Sequence, residues 1–126
     1  MELVRWGWLD GRVPTPALPA DVPQVAAAQL PADVSHRAVL LDVRENHEWA
    51  AGHAPGAVHV PLGTLGQRAA EVASIARERQ VVVVCAVGAR SQRAAVFLAA
   101  SGLDTVNVAD GMQGWASAGR PIVTGP

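Results

Sequence analysis

The chain holds one cysteine, Cys85, which opens the run Cys85-Ala86-Val87-Gly88-Ala89-Arg90-Ser91. A thiol becomes a strong nucleophile once ionised, and converging N–H groups, a helix N-terminus or a nearby cation favour that ionisation. Gly88 gives the turn backbone conformations closed to other residues, so successive N–H groups can converge on one centre. Arg90 brings a permanent cation, and Ser91 can cap a following helix or donate to a bound anion. A free cysteine is also among the most buried residue types. Position alone leaves two readings of Cys85, inert core and nucleophile, and Gly88 with Arg90 favours the second.

The elements around this run have to hold it still. Val81-Val82-Val83-Val84 just before it is a β-branched run of the kind found in a central parallel strand buried on both faces. From Ser91 the spacing turns helical, with Ala94, Ala95 and Leu98 on one side and Gly102 as a stop, so a helix over 91–101 is predicted. The thiol therefore sits where a strand ends and a helix begins, the edge at which open α/β sheets bind ligands.

The rest of the chain alternates in the same way. Pro23 is suited to the first turn of a helix running to Leu30. Ala38-Val39-Leu40-Leu41-Asp42-Val43 reads as a second buried strand, followed by a helix from Glu45 to Ala51 that Gly52 ends. A short strand is predicted from Ala57 to Val60, stopped by Pro61. A helix from Leu65 to about Arg79 follows, then the valine strand, a strand over 105–108 and a last helix from Gly111 to Ala118. This alternation predicts an α/β fold, about five mainly parallel strands with helices on both faces in three layers. Residues 1–21, with Trp6, Trp8, Pro14, Pro16 and Pro19, read as an extended N-terminal arm, and 22–124 as one domain. The tryptophans of the arm either cover part of the domain surface or bind a partner.

Four further groups bear on function. Asp42, Arg44, Glu45 and Glu48 form a charge cluster at the end of the second strand. Arg44 there can either pair with a carboxylate to fix the loop or add positive potential at the site rim, and the first role is favoured. His36, His47, His53 and His59 show no metal-ligand pattern; His53 reads as a hydrogen-bonding residue that holds its turn. Trp49 and Trp115 fit core or pocket wall. Asp110 can cap the last helix.

Composition narrows the classes. A chain of 126 residues, 50% hydrophobic, suffices for one domain with a real core. The formal net charge of -1 gives no electrostatic reason to expect nucleic acid or a membrane surface as partner. No apolar run approaches the ~18 residues of a membrane span, and Met1 to Leu9 lacks an apolar leader core, so a cytoplasmic protein is expected. A single cysteine excludes an intrachain disulfide and a cysteine-based metal cluster.

Taken together, the motifs resemble the rhodanese-like sulfurtransferase family. Cys-x-x-Gly-x-Arg-Ser matches that family's active-site loop. Leu41-Asp42-Val43-Arg44-Glu45, Glu48-Trp49 and Gly52-His53-Ala54-Pro55-Gly56-Ala57 look like its first signature. Asp110-Gly111-Met112-Gln113-Gly114-Trp115 and Gly119-Arg120-Pro121-Ile122 look like its C-terminal one. The resemblance implies the family's fold and a sulfurtransferase in which Cys85 carries sulfane sulfur as a persulfide. The backbone of Ala86, Val87, Gly88, Ala89 and Arg90 would cradle that sulfur, with Asp42, Arg44 and Ser91 in support. It implies no metal and no organic cofactor. The donor would be thiosulfate or a protein persulfide, and the acceptor an external thiol or cyanide, since no second cysteine is present to take the sulfur. Two rivals remain: a non-catalytic rhodanese-like module that binds a partner or senses redox state, and a cysteine phosphatase or arsenate reductase. The latter enzymes place one residue more between cysteine and arginine, and the shorter loop here favours a single sulfur atom over a phosphate. Ala86 and Val87 stand where some thiosulfate-using members carry basic residues, which leaves the donor open.

Overall fold

The computed structural model describes residues 22–126. The extended-arm reading of 1–21 lies outside the described residues. Five strands form one sheet: β1 (Gln24–Val25), β2 (Val39–Asp42), β3 (Val58–His59), β4 (Val81–Val84) and β5 (Thr105–Val108). Their order is β1-β5-β4-β2-β3, and every pairing is parallel. The helices are α1 (Val34–Arg37), α2 (Asn46–Ala51), α3 (Leu65–Ala76), α4 (Ala89–Ala100) and α5 (Gly111–Ser117). Short 3-10 turns lie at Ala27–Gln29 and Leu62–Thr64.

The valine run occupies the centre of the sheet because both of its faces are covered. Val82 and Val84 pack with Leu40, Val106 and Val108 beneath Ala27, Val34, Met112 and Trp115. Val81 and Val83 pack on the other face with Val39 and Leu41, beneath Leu65 and Val72 of α3 and Ala94, Ala95 and Leu98 of α4. Small Ala94 and Ala95 let α4 lie close to the strand that precedes it. Side chains alternate along a strand, so the residue after Val84 continues the Val81–Val83 face. That residue is Cys85, which is buried in this second cluster.

The connection from β2 leads outward to β3, whereas that from β4 leads the opposite way to β5. The sheet thus has its topological switch point at the C-terminal ends of β2 and β4, where such folds open a crevice. Asp42-Val43-Arg44 leaves one side of this crevice and Cys85 the other. The two chain segments are tied by the Val43 amide, which donates to the Val84 carbonyl at 3.0 Å.

Four elements differ from the sequence expectation. The helix expected from Pro23 to Leu30 is instead β1 and a 3-10 turn. Eight residues make a marginal helix, whereas the β5 edge offers ladder bonds: Asn107 and Ala109 donate their amides to Pro23 and Val25. Helix α1 has no counterpart in the expectation, being a single turn with too few residues to show a period. Helix α3 stops at Ala76, not Arg79, because Arg77 and Glu78 take positive φ (48° and 73°) and reverse the chain without a glycine. Helix α4 starts at Ala89, with Gly88 at its cap position, so Ser91 lies inside the first turn and does not cap it.

Candidate active site

Gly88 makes the loop possible. Its φ is +102°, and a Cβ there would overlap the carbonyl of Ala109, so both the backbone conformation and the close approach require glycine. With the chain bent in this way, the amides of Gly88 and Ser91 donate to Cys85 Sγ at 3.1 and 3.3 Å. The first amides of an α-helix have no acceptor within the helix, and that of Ser91 in α4 is turned toward the loop's sulfur. Burial is the largest single influence on the thiol and disfavours its ionisation. Donors from Ser91, Gly88 and Val87 together outweigh it, and the Cys85 pKa falls below the ordinary thiol value. Both readings of Cys85 therefore describe part of the geometry: the side chain closes one core face, yet its sulfur faces N–H groups. An inert core cysteine would be held protonated.

The loop is clamped from behind by α5. Met112 and Gln113 donate their amides to the carbonyls of Cys85 and Ala86 at 2.7 and 3.0 Å. Gly111, with φ +57°, sits so close to those two peptides that a Cβ would collide with them. These bonds tie the first two loop carbonyls to α5. Asp110 precedes the helix but does not cap it with its side chain. Its Oδ1 instead accepts the Ala27 amide at 2.8 Å, joining α5 to the segment after β1.

Ser91 opens onto a buried polar chain. Its hydroxyl donates to Asn107 Oδ1 or to the Gly88 carbonyl. Asn107 Nδ2 in turn donates to Gln24 Oε1 at 2.8 Å and to the Gly88 carbonyl at 3.3 Å. Asn107 is a site residue that sequence reasoning misses. Its one signal is a polar residue at an inward position of β5, between Val106 and Val108.

The charge cluster separates into two pairs. Arg44 Nε and Nη2 clasp both oxygens of Asp42 at 2.8–3.1 Å, and Nη2 also donates to the Gly52 carbonyl at 2.7 Å. Asp42 is fully buried and Arg44 nearly so. This is the pairing expected of a loop-fixing arginine. Arg90 points at α2, where its Nη1 and Nη2 donate to Glu48 Oε1 and Oε2 at 2.8 and 2.9 Å. The loop cation expected beside the sulfur is therefore neutralised by a partner from another element. The Arg90 guanidinium holds Glu48 down to about 2, and Glu48 in turn raises Arg90. Glu45 stays exposed, its amide donating to Glu48 Oε1 at 2.9 Å.

Around this pair lies an aromatic stack. Trp49 is sandwiched between His53 and His59, with ring centroids 3.5 and 4.6 Å apart and planes within 8° of parallel. His53 Nδ1 donates to the Trp49 carbonyl at 2.8 Å, the turn-holding bond expected of it, and His59 Nε2 donates to the Arg44 carbonyl at 2.8 Å. Trp115 is buried under the sheet, its indole N–H donating to the Pro121 carbonyl at 2.7 Å. Among the described residues no group of three or more His, Cys, Asp and Glu is arranged to hold a metal ion. No helix among them is long and apolar enough to cross a membrane.

A parallel α/β sheet with an N–H-ringed cysteine at its switch point defines the class: an α/β domain built around a cysteine loop. Residues 24–118 match the rhodanese-like domain model, and the chain belongs to that family. It is 37% identical over 86 residues to a sulfurtransferase of Allochromatium vinosum, covering 68% of this chain and 78% of that one. It is 36% identical over 88 residues to the thiosulfate sulfurtransferase GlpE of Actinobacillus pleuropneumoniae serotype 7, covering 69% and 79%. Among solved structures, a rhodanese-related protein from Thermoplasma volcanium superposes with a TM-score of 0.69 at 31% identity, covering 80% of this chain and 97% of that one. Other relatives are longer, and the match covers 40% of one from Bacillus subtilis.

Proposed function

We propose that the protein is a persulfide-forming sulfurtransferase with Cys85 as the sulfur carrier. The observation that carries this reading is the pair of amides, Gly88 and Ser91, donating to Cys85 Sγ in a loop whose first two carbonyls are bonded by α5. With thiosulfate as donor, the Cys85 thiolate attacks the sulfane sulfur. A new S–S bond forms, the S–S bond of the donor breaks with its electron pair, and sulfite leaves. The outer sulfur of the Cys85 persulfide carries the negative charge and lies toward the amides of residues 86–90. A nucleophile such as cyanide or a thiolate then attacks that outer sulfur and restores the thiolate. The chain's one cysteine makes an external acceptor necessary. In this reading Ala86, Val87, Gly88, Ala89 and Arg90 bind through their backbone, Ser91 supports the thiolate, and Asp42 with Arg44 fixes the facing loop. Relatives named as sulfurtransferases support the activity.

The test is intact-mass spectrometry of the purified protein after incubation with thiosulfate. Gain of one sulfur atom, its loss as thiocyanate on adding cyanide, and absence of both in Cys85→Ser are the expected results. A wild type left unmodified by thiosulfate and by a persulfide donor overturns the reading. Cysteine-dependent hydrolysis of an aryl phosphate would move the protein to the phosphatase class.

A further inference from the structure

We propose that Glu48 sets the donor preference of the Cys85 site by neutralising Arg90, so that the site selects sulfur donors carrying at most one negative charge over the thiosulfate dianion. The proposal rests on the sulfurtransferase reading and deepens it to a substrate class.

Three observations on the rim agree. Arg90 is the loop's one cationic side chain, and both of its terminal nitrogens are committed to the two oxygens of Glu48. Across the crevice Arg44 is committed to Asp42 and to the Gly52 carbonyl, so it has little charge to offer a ligand. Between these pairs the loop presents Val87, whose side chain points outward and is 59% exposed. A donor approaching Cys85 therefore meets the closed Glu48–Arg90 pair and an apolar side chain, while the Arg44 charge is buried against Asp42. The thiosulfate dianion finds both of these arginines paired, and to use Arg90 it must displace a bidentate carboxylate. The apolar stem of an alkyl persulfide finds Val87 and needs no counter-ion. Glu48 is itself held by the Glu45 amide at the start of α2, which fixes its carboxylate toward Arg90 rather than solvent.

The step for such a donor balances without an oxidant. The Cys85 thiolate attacks the outer sulfur of R–S–SH, the S–S bond breaks, R–S⁻ leaves with the electron pair, and Cys85–S–SH remains. Glu48 touches neither donor nor sulfur and acts as a positioning residue through Arg90.

The experiment compares thiosulfate with N-acetylcysteamine persulfide, whose one ionisable group is the persulfide itself. Steady-state kinetics on the wild type and on Glu48→Gln, each checked for folding by circular dichroism, give kcat and KM for both donors. The carboxamide oxygen of that variant still accepts the Glu45 amide, but the Arg90 charge is left uncompensated. The expected result is a rise of about fivefold in the thiosulfate-to-persulfide ratio of kcat/KM, carried by a lower KM for thiosulfate. Val87→Arg, which adds a cation at an exposed position, is expected to move the ratio the same way and serves if Glu48→Gln does not fold. An unchanged ratio in the folded variants, or equal changes for both donors, overturns the role of Glu48. Failure of both donors to load sulfur on wild-type Cys85 overturns the sulfurtransferase reading itself.

Discussion

The amide of Met112 donates to the carbonyl of Cys85 at 2.7 Å, so the first turn of the last helix holds the residue that begins the loop. Cys85 and Met112 lie on opposite sides of β5 in the chain. Their contact makes the C-terminal signature part of the site rather than a distant structural landmark. Gly111 permits it by bringing its backbone against the Cys85 and Ala86 peptides.

Gly111→Ala and Gly88→Ala are accordingly expected to be severe. Each adds a Cβ where φ is positive and a carbonyl already occupies the space. Left-handed strain alone costs about 1–2 kcal/mol, and the overlap adds to it. Urea denaturation should show both variants destabilised by about 2 kcal/mol or more, with sulfur loading lost in whatever protein folds. Gly102→Ala is the control: its φ is also positive, but a Cβ there meets nothing. It should lose stability and keep loading.

Asp42 and Arg44 test a structural pair. Both are buried, and removing one leaves the other charge without its partner. Arg44→Ala should lower stability by about 3–5 kcal/mol. The fraction that folds should load sulfur as the wild type does when counted per folded molecule. A folded, stable Arg44→Ala protein that no longer loads would instead give Arg44 a direct part in the chemistry.

The lowered Cys85 pKa has a pH signature. A thiol depressed in the fold contributes stability above its unfolded value of about 8.5, and that contribution fades as pH falls through the folded value. The stability of the wild type relative to Cys85→Ser should thus grow on going from neutral pH to above about pH 8.5. The iodoacetamide alkylation rate should level off at lower pH than for a free thiol. A midpoint at or above the free-thiol value would contradict the N–H cradle.

Ser91→Ala removes the hydroxyl whose single proton either favours the Cys85 thiolate or meets Asn107 Oδ1. Its alkylation midpoint should move up, and stability should fall by about 1–3 kcal/mol as a buried acceptor goes unpaired. Asn107→Ala should cost stability comparably, without moving the midpoint as far, because Asn107 reaches the sulfur only through Ser91 and Gly88.

Glu48 titrates as part of its pair with Arg90, which holds it down to about 2. The stability it adds is present in full above the ordinary carboxylate value of 4.5 and is lost as pH falls toward about 2. Acid denaturation of Glu48→Gln should therefore lack that portion of the acid limb. Identical acid limbs in the two proteins would mean that the pair contributes nothing in solution.

Local pattern carried much of this protein. The valine run needed cover on both faces, the change from β-branched to helical spacing placed Cys85 at a strand-to-helix edge, and Gly88 announced a turn that amides could converge in. Those features depend on neighbours in the chain, and a sequence displays neighbours directly. The tertiary structure decided the partners. That Arg90 meets Glu48 rather than the open site, that Arg44 takes Asp42, and that Met112 holds Cys85 all follow from which strands lie side by side at the switch point. Segment 23–30 shows the same dependence. Its composition suits a helix, and it becomes a strand edge because β5 leaves ladder positions open beside it. Electrostatic and hydrogen-bond pairing act through space, so the charge left at the mouth of the site could be counted only after the fold had brought its residues together.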